Sequence, residues 1–171
     1  MARETEERGL LKESEVDELL RGQKVLLTGG AGFIGSHTAL VLCELGADVV
    51  VLDNFSNSSA ESIKRVEKLT GCNIACEEID CRDQGAVEEL INRHKPESVI
   101  HFAGLKAVGE SVEKPQLYFD VNLGSTTALL GAMQNCGLKR LIFSSSATVY
   151  GDKNVPPLNE SMQSLIEGAQ N

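Results

Sequence analysis

The sequence predicts an α/β protein built on a doubly wound, all-parallel sheet of strand order 3-2-1-4-5. Three observations predict it. Short apolar runs alternate with helical patterns through the middle of the chain, the rhythm of strands joined by crossover helices. The first run ends in a glycine cluster that opens a helical pattern. The fourth run, Ser98–Phe102, is nearly all apolar, as a strand buried on both faces requires. Right-handed crossovers between successive strands then give the order.

Each element has its own signal. Lys24–Thr28 reads as the first strand and Phe33–Leu45 as its helix. Asp48–Leu52 is the second strand, followed by a helix over Ala60–Leu69. Asn73–Ile79 is a weaker third strand, with a helix around Gln84–His94. After the fourth strand a long helix starts at Pro115, because proline suits a first helical turn. Arg140–Ser144 is the fifth strand. This core occupies residues 23–160, between an acidic extension over 1–22 and a divergent tail over 161–171. In the extension, Ser14-Glu15-Val16-Asp17 resembles a helix N-cap and Leu10, Leu11, Val16, Leu19 and Leu20 form an apolar stripe. Such a helix packs on the domain, serves as a partner-binding arm, or stays a disordered tail. From Pro156-Pro157 onward the chain is polar and weakly patterned, and is expected on the surface.

Composition bounds the function. With 171 residues, 42% of them hydrophobic, the chain can bury one core. A formal charge of −9 argues against nucleic acid or an anionic membrane as partner, since both select a basic face. No apolar run is long enough to span a bilayer, and the charged N-terminus lacks the apolar stretch of a signal peptide. The odd number of cysteines, five, points to reduced thiols in a cytoplasmic protein. Cys72, Cys76 and Cys81 cluster without the paired spacing of a zinc site, so no metal is expected.

The chemistry concentrates at the carboxyl ends of the strands, where this fold binds ligands. The loop Gly29-x-x-Gly32-x-x-Gly35 differs by one residue from the common dinucleotide spacing. Gly29 permits the turn off the strand, Gly32 admits a pyrophosphate to the backbone, and Gly35 lets the helix approach the sheet. Asp53 ends the second strand, 18 residues after Gly35, where a carboxylate can accept from both ribose hydroxyls of an adenosine. Its charge repels a 2′-phosphate, so NAD is favoured over NADP. Asp80 either accepts from an adenine amino group or caps a helix. Small Ala103 and Gly104 let the dinucleotide approach, and Lys106 either sets a cation near its phosphates or nicotinamide ribose or is a solvated surface lysine. His101 reads as a core histidine. Asn122, inside the long helix, binds either backbone or ligand.

These blocks carry a resemblance. The glycine loop, Asp53-Asn54 with Asn57-Ser58, the run Phe102-Ala103-Gly104-Leu105-Lys106-Ala107-Val108-Gly109-Glu110-Ser111 and the run Ser144-Ser145-Ser146-Ala147-Thr148-Val149-Tyr150-Gly151 resemble the UDP-glucose 4-epimerase family. That family lies among the extended short-chain dehydrogenase/reductases, and the likeness runs from about Lys24 to Glu160. The resemblance implies a Rossmann-like sheet that holds NAD against Phe33, Ile34, Asn54, Asn57, Ser58, Cys81, Phe102, Leu105, Asn122, Ser144 and Ser145, besides the residues already named. It also implies a UDP-hexose substrate, oxidised at C4 and reduced again on its opposite face.

Departures limit what is carried over. Ser146 matches the serine that orients the substrate hydroxyl. The family's Tyr-x-x-x-Lys pair has no match, because Tyr150 is followed by Gly151-Asp152-Lys153-Asn154 and its spacing from the serine falls where this sequence stops. The expectation is therefore a truncated, cofactor-binding part that is inactive alone, with a non-catalytic NAD-binding or interaction module as the alternative. The family's homodimer interface uses the long helix and the missing catalytic helix, so dimerisation is not carried over. Sugar-nucleotide dehydratases carry an Asp-Glu pair where this chain has Ala147 and Thr148, which disfavours dehydration. Cys81 replaces an aliphatic residue, and Gly124-Ser125 replaces the usual order, with glycine in mid-helix costing about 1 kcal/mol. Apolar surface near Leu141–Phe143 is expected to be left exposed or to need a cover.

Overall fold

Burial on both faces makes strands of the apolar runs. The structure, a computed structural model, describes residues 13–151, 154–159 and 161–162. Five parallel strands, β1 (Lys24–Thr28), β2 (Asp48–Asp53), β3 (Ala75–Glu78), β4 (Ser98–His101) and β5 (Leu141–Phe143), form one sheet in the order β3-β2-β1-β4-β5. This is the predicted Rossmann-like order. Register places Leu26 of β1 between Val50 of β2 and Val99 of β4.

Strand alternation splits the core in two. Val25, Leu27, Val49 and Val51 face helices α2 (Phe33–Glu44) and α3 (Ala60–Thr70). Leu26, Val50, Leu52 and Val99 face α4 (Gln84–His94) and α6 (Pro115–Cys136). Helix ends follow local rules. Ser59 Oγ accepts from Glu61 N at 3.3 Å to cap α3. Pro115 opens α6, and Gly137 ends it in the left-handed region at φ 72°.

Two mid-helix glycines have a packing explanation. A Cβ on Gly131 would sit 2.7 Å from Gln84 Oε1, and one on Gly124 would meet the Arg82 stem at 3.5 Å. Their absence lets side chains near the start of α4 lie directly across α6.

Several elements differ from expectation. A short helix, α5 (Val108–Glu113), precedes α6 and gave no periodic signal. β3 starts later than predicted because Ile74 N donates to Glu67 Oε1 at 2.9 Å instead of joining the ladder. Phe102 lies just beyond β4, though its N still donates to Thr28 O at 2.9 Å. Helix α1 (Glu13–Leu20) contains Ser14 instead of being capped by it. Leu20 packs against the first core cluster while Leu19 is exposed; Leu10 and Leu11 lie outside the described residues. Gly22 N donates to Gly46 O at 2.8 Å, which ties the end of the extension to the turn before β2. The described residues after Pro157 form no helix or strand, and 163–171 lie outside the description. Among the described residues, no helix is long and apolar enough to cross a membrane.

Candidate functional site

A cleft of about 260 Å3 opens at the carboxyl ends of β1, β2 and β4, where the glycine loop, the β2 turn and the β4 loop converge. The glycine loop forms its floor. Gly29 has φ 66°, and a Cβ there would stand 2.7 Å from Ala103 N. Only glycine allows both the turn and this approach. A Cβ on Gly35 would lie 2.5 Å from Gly29 O, so α2 sits directly against the loop. Gly32 caps α2 without a side chain, and the first intrahelical bond is Ser36 N to Gly32 O at 2.9 Å. The N–H groups of Phe33, Ile34 and Gly35 therefore precede the helix ladder, at its positive dipole end. The Phe33 and Ile34 side chains stand largely exposed at the rim of the cleft.

Asp53 is only 6% exposed and already holds the loops together. Its Oδ2 accepts from Ala31 N at 3.0 Å, and its Oδ1 from Phe55 N at 2.9 Å and Ser58 Oγ at 2.8 Å. A carboxylate offers about four acceptor positions, so one remains on Oδ2. Ser58 acts behind Asp53, outside the cleft lining, whereas Asn54 and Asn57 line it.

Asp80 lines the cleft at the end of β3 and does not cap α4. That task falls to Asp83, whose Oδ1 accepts from Ala86 N at 3.1 Å. Arg82 grips Asp80 with Nε at 3.0 Å and Nη2 at 2.7 Å, which pulls the Asp80 carboxyl down to about 2. Cys81 is buried, its thiol is pushed up to about 12 by desolvation, and its Sγ donates to Ser125 O at 3.7 Å. It contributes a neutral wall. Sequence reasoning missed Leu52, Ser56, Ile79, Val121 and Ser125, which also line the cleft. For Leu52 and Ile79 the signal was position alone, at strand carboxyl ends.

Phe102, Ala103, Gly104, Leu105 and Lys106 line the opposite wall. Asn122 does not line it. It clamps the Leu105 backbone, accepting from Leu105 N at 2.7 Å and donating to Leu105 O at 3.1 Å, so its part is to hold the loop. His101 is a core residue as read from sequence. Its Nδ1 shares a 2.6 Å hydrogen bond with Thr28 Oγ1, its Nε2 lies 3.2 Å from Thr126 Oγ1, and burial pushes the imidazole down to about 4. Ser144 reaches the cleft; Ser145 and Ser146 do not line it and are exposed at the start of the 3-10 turn Ala147–Tyr150. Lys153 lies outside the described residues.

Known proteins share this architecture. The GDP-mannose 4,6 dehydratase family model matches residues 26–164. The human UDP-glucose 4-epimerase is 54% identical over 145 residues, covering 81% of this chain and 42% of the relative. A crystal structure of UDP-glucose 4-epimerase from Bifidobacterium longum in complex with NAD+ and UDP superposes with a TM-score of 0.80 at 47% identity, covering 83% of this chain and 42% of that one. One from Stenotrophomonas maltophila, with bound NAD and formylated UDP-arabinopyranose, also has a TM-score of 0.80, at 44% identity over 83% of this chain and 42% of that one. The chain thus spans about 42% of the length of the relatives it matches. In sequence and sheet order alike, the chain belongs to the GDP-mannose 4,6 dehydratase family, and within it corresponds to the N-terminal part of the UDP-glucose 4-epimerases.

Proposed function

We propose that the chain is the NAD-holding part of a protein that epimerises a UDP-hexose at C4. The observation that carries this reading is the cleft itself. Gly29, Gly32 and Gly35 let the loop, the β4 loop and α2 close together, since an added Cβ would meet backbone at 2.7, 3.3 and 2.5 Å, and this packing sets three helix N-terminal N–H groups and a buried carboxylate beside the cleft. That donor set fits a dinucleotide: a diphosphate on the α2 N-terminus and an adenosine ribose on Asp53. Asp53 also disfavours a 2′-phosphate, so the cofactor is NAD. When bound, NAD supplies a hydride acceptor and donor.

The chain's own residues do the remaining work. Asn122 fixes the Leu105 backbone along one wall, and exposed Lys106 sets a cation beside it. Ser144 borders the cleft, and Ser146, just before the 3-10 turn Ala147–Tyr150, would orient the substrate hydroxyl in the family's manner. Dehydration is not proposed despite the family model's description, because Ala147 and Thr148 offer no carboxylate acid or base. These 171 residues contain no Tyr-x-x-x-Lys pair. Proton transfer from the sugar is thus assigned to residues outside this sequence. No nucleic acid or membrane partner is proposed, and the five free cysteines support a cytoplasmic location.

Calorimetric titration of the 171-residue chain with NAD tests the reading. Binding should weaken at least about tenfold in Asp53→Ala, which removes a ribose acceptor and leaves Ala31 N, Phe55 N and Ser58 Oγ without their partner. The same preparation should not interconvert UDP-galactose and UDP-glucose. Equal affinity in the two proteins, or turnover by the chain alone, would sink the proposal in this form.

A further inference from the structure

We propose that Arg82 is a positioning residue for adenine recognition: it locks the Asp80 carboxylate against α6 so that one oxygen faces the cleft. The inference rests on the NAD reading above and concerns the adenine end of the same site. Asp80 lines the cleft and Arg82 does not, so Arg82 acts through its neighbour. The hold is forked. Nε and the backbone N of Arg82 donate to Asp80 Oδ1 at 3.0 and 2.9 Å, and Nη2 donates to Oδ2 at 2.7 Å. The third guanidinium nitrogen, Nη1, donates to Asp120 Oδ2 on α6 at 2.6 Å.

Two neighbours secure this hold on α6. The Arg82 stem crosses α6 where Gly124 leaves space, a Cβ there standing 3.5 Å from its Cγ and Cδ. Cys81, between the carboxylate and the arginine, is tied by its thiol to Ser125 O at 3.7 Å. The end of β3 is thereby fastened to α6 by a guanidinium bridge and a thiol. A single exposed ion pair would orient little. A planar fork with both ends engaged fixes the carboxylate plane.

The acceptor positions of Asp80 show where a ligand enters. Oδ1 takes two short bonds from Arg82, and Oδ2 takes one. The remaining contact on Oδ2 is Asn54 Nδ2 at 3.4 Å, the weakest of the four. An exocyclic amine displaces that donor more readily than any of the arginine bonds. Adenine brings such an amine. Hypoxanthine brings a carbonyl oxygen at the same position, which would face the carboxylate.

The test compares NAD with nicotinamide hypoxanthine dinucleotide on the full chain by calorimetry. The wild type should prefer the adenine dinucleotide by about tenfold or more, the worth of one charge-assisted hydrogen bond. Arg82→Leu should bring that ratio close to one. Arg82→Lys keeps the charge but not the fork, so it should lose most of the preference too, and it carries the test if the leucine variant fails to fold. Asp53→Ala should weaken both dinucleotides with the ratio unchanged. An unchanged ratio in both Arg82 variants overturns this inference alone, as does an equal loss of both ligands in them. A wild-type ratio near one overturns it as well. A wild-type chain that binds neither dinucleotide overturns the cofactor reading and this inference together.

Discussion

The two flanks of the sheet are built to different standards. On the β1–β2 side every strand residue after the first is buried, and Leu27, Val51 and Val25 close against α2 and α3. On the β5 side Ile142 is 61% and Phe143 54% exposed, and α6 turns Phe119, Leu123 and Leu130 to solvent. The features that fit a dinucleotide lie mostly on or beside the closed flank: the glycine loop, Asp53 and the α2 N-terminus. Those proposed to meet a substrate, Ser144 and Ser146, lie on the open one. Rigidity follows burial, so a closely packed flank stands next to an open one with fewer packing partners.

Substitution on the closed flank should show the largest effect. Leu27 is fully buried between β2 and β4, and Leu27→Ala removes its side-chain carbons from packed surroundings. The expected cost is about 3 kcal/mol of unfolding free energy, read from urea denaturation. A loss below about 1 kcal/mol would mean that this side of the core relaxes freely and that the contrast is overstated.

A pH titration comes next in size. His101 sits where the flanks meet, under Thr28, and its folded-state imidazole is depressed from 6.5 to about 4 by burial first and Lys106 second. Its contribution is full above the unfolded value, because both states are then neutral. Below 6.5 the unfolded chain takes up a proton that the folded one refuses. Stability therefore falls as pH drops from 6.5 towards 4, by about 1 kcal/mol per pH unit. Urea midpoints across that window check it, and His101→Gln should remove this part of the slope.

How much was legible in the sequence divides along the same line. Burial on both faces leaves a continuous apolar run, so β1 appears at its predicted bounds; α4 does so from its helical pattern, and the order of the sheet follows from crossover handedness. The glycine loop was legible because close backbone approach has few chemical solutions, and Gly29 and Gly35 have the contacts expected of them. What spacing left open were side chains with two possible partners. Asn122 bonds the Leu105 backbone, one of its two readings, and Asp53 accepts from Ala31 N, Phe55 N and Ser58 Oγ, groups brought in by the tertiary fold. Asp80 lost the capping task to Asp83, three residues on, and gained Arg82. Such choices depend on angstrom-scale placement that spacing alone does not encode. α5 was missed because its six residues are too few to show a period.

The smallest expected effect sharpens the comparison most. Ile142→Thr is a conservative change in β-propensity and reduces apolar surface that is already mostly in water. On the isolated chain it should shift unfolding by no more than about 0.5 kcal/mol, against the several-fold larger cost at Leu27. The sheet register supports this, since Ile142 pairs only with Ile100 on β4 and β5 ends the sheet. Urea curves at two protein concentrations make the result decisive. A cost near that of Leu27→Ala that grows with concentration would show β5 buried against another molecule in solution. The open flank would then be an interface, and its exposure would belong to the chain only when alone. A near-zero, concentration-independent shift fixes the asymmetry as a property of the chain itself: one flank that holds its own shape, and one that presents apolar surface without depending on it.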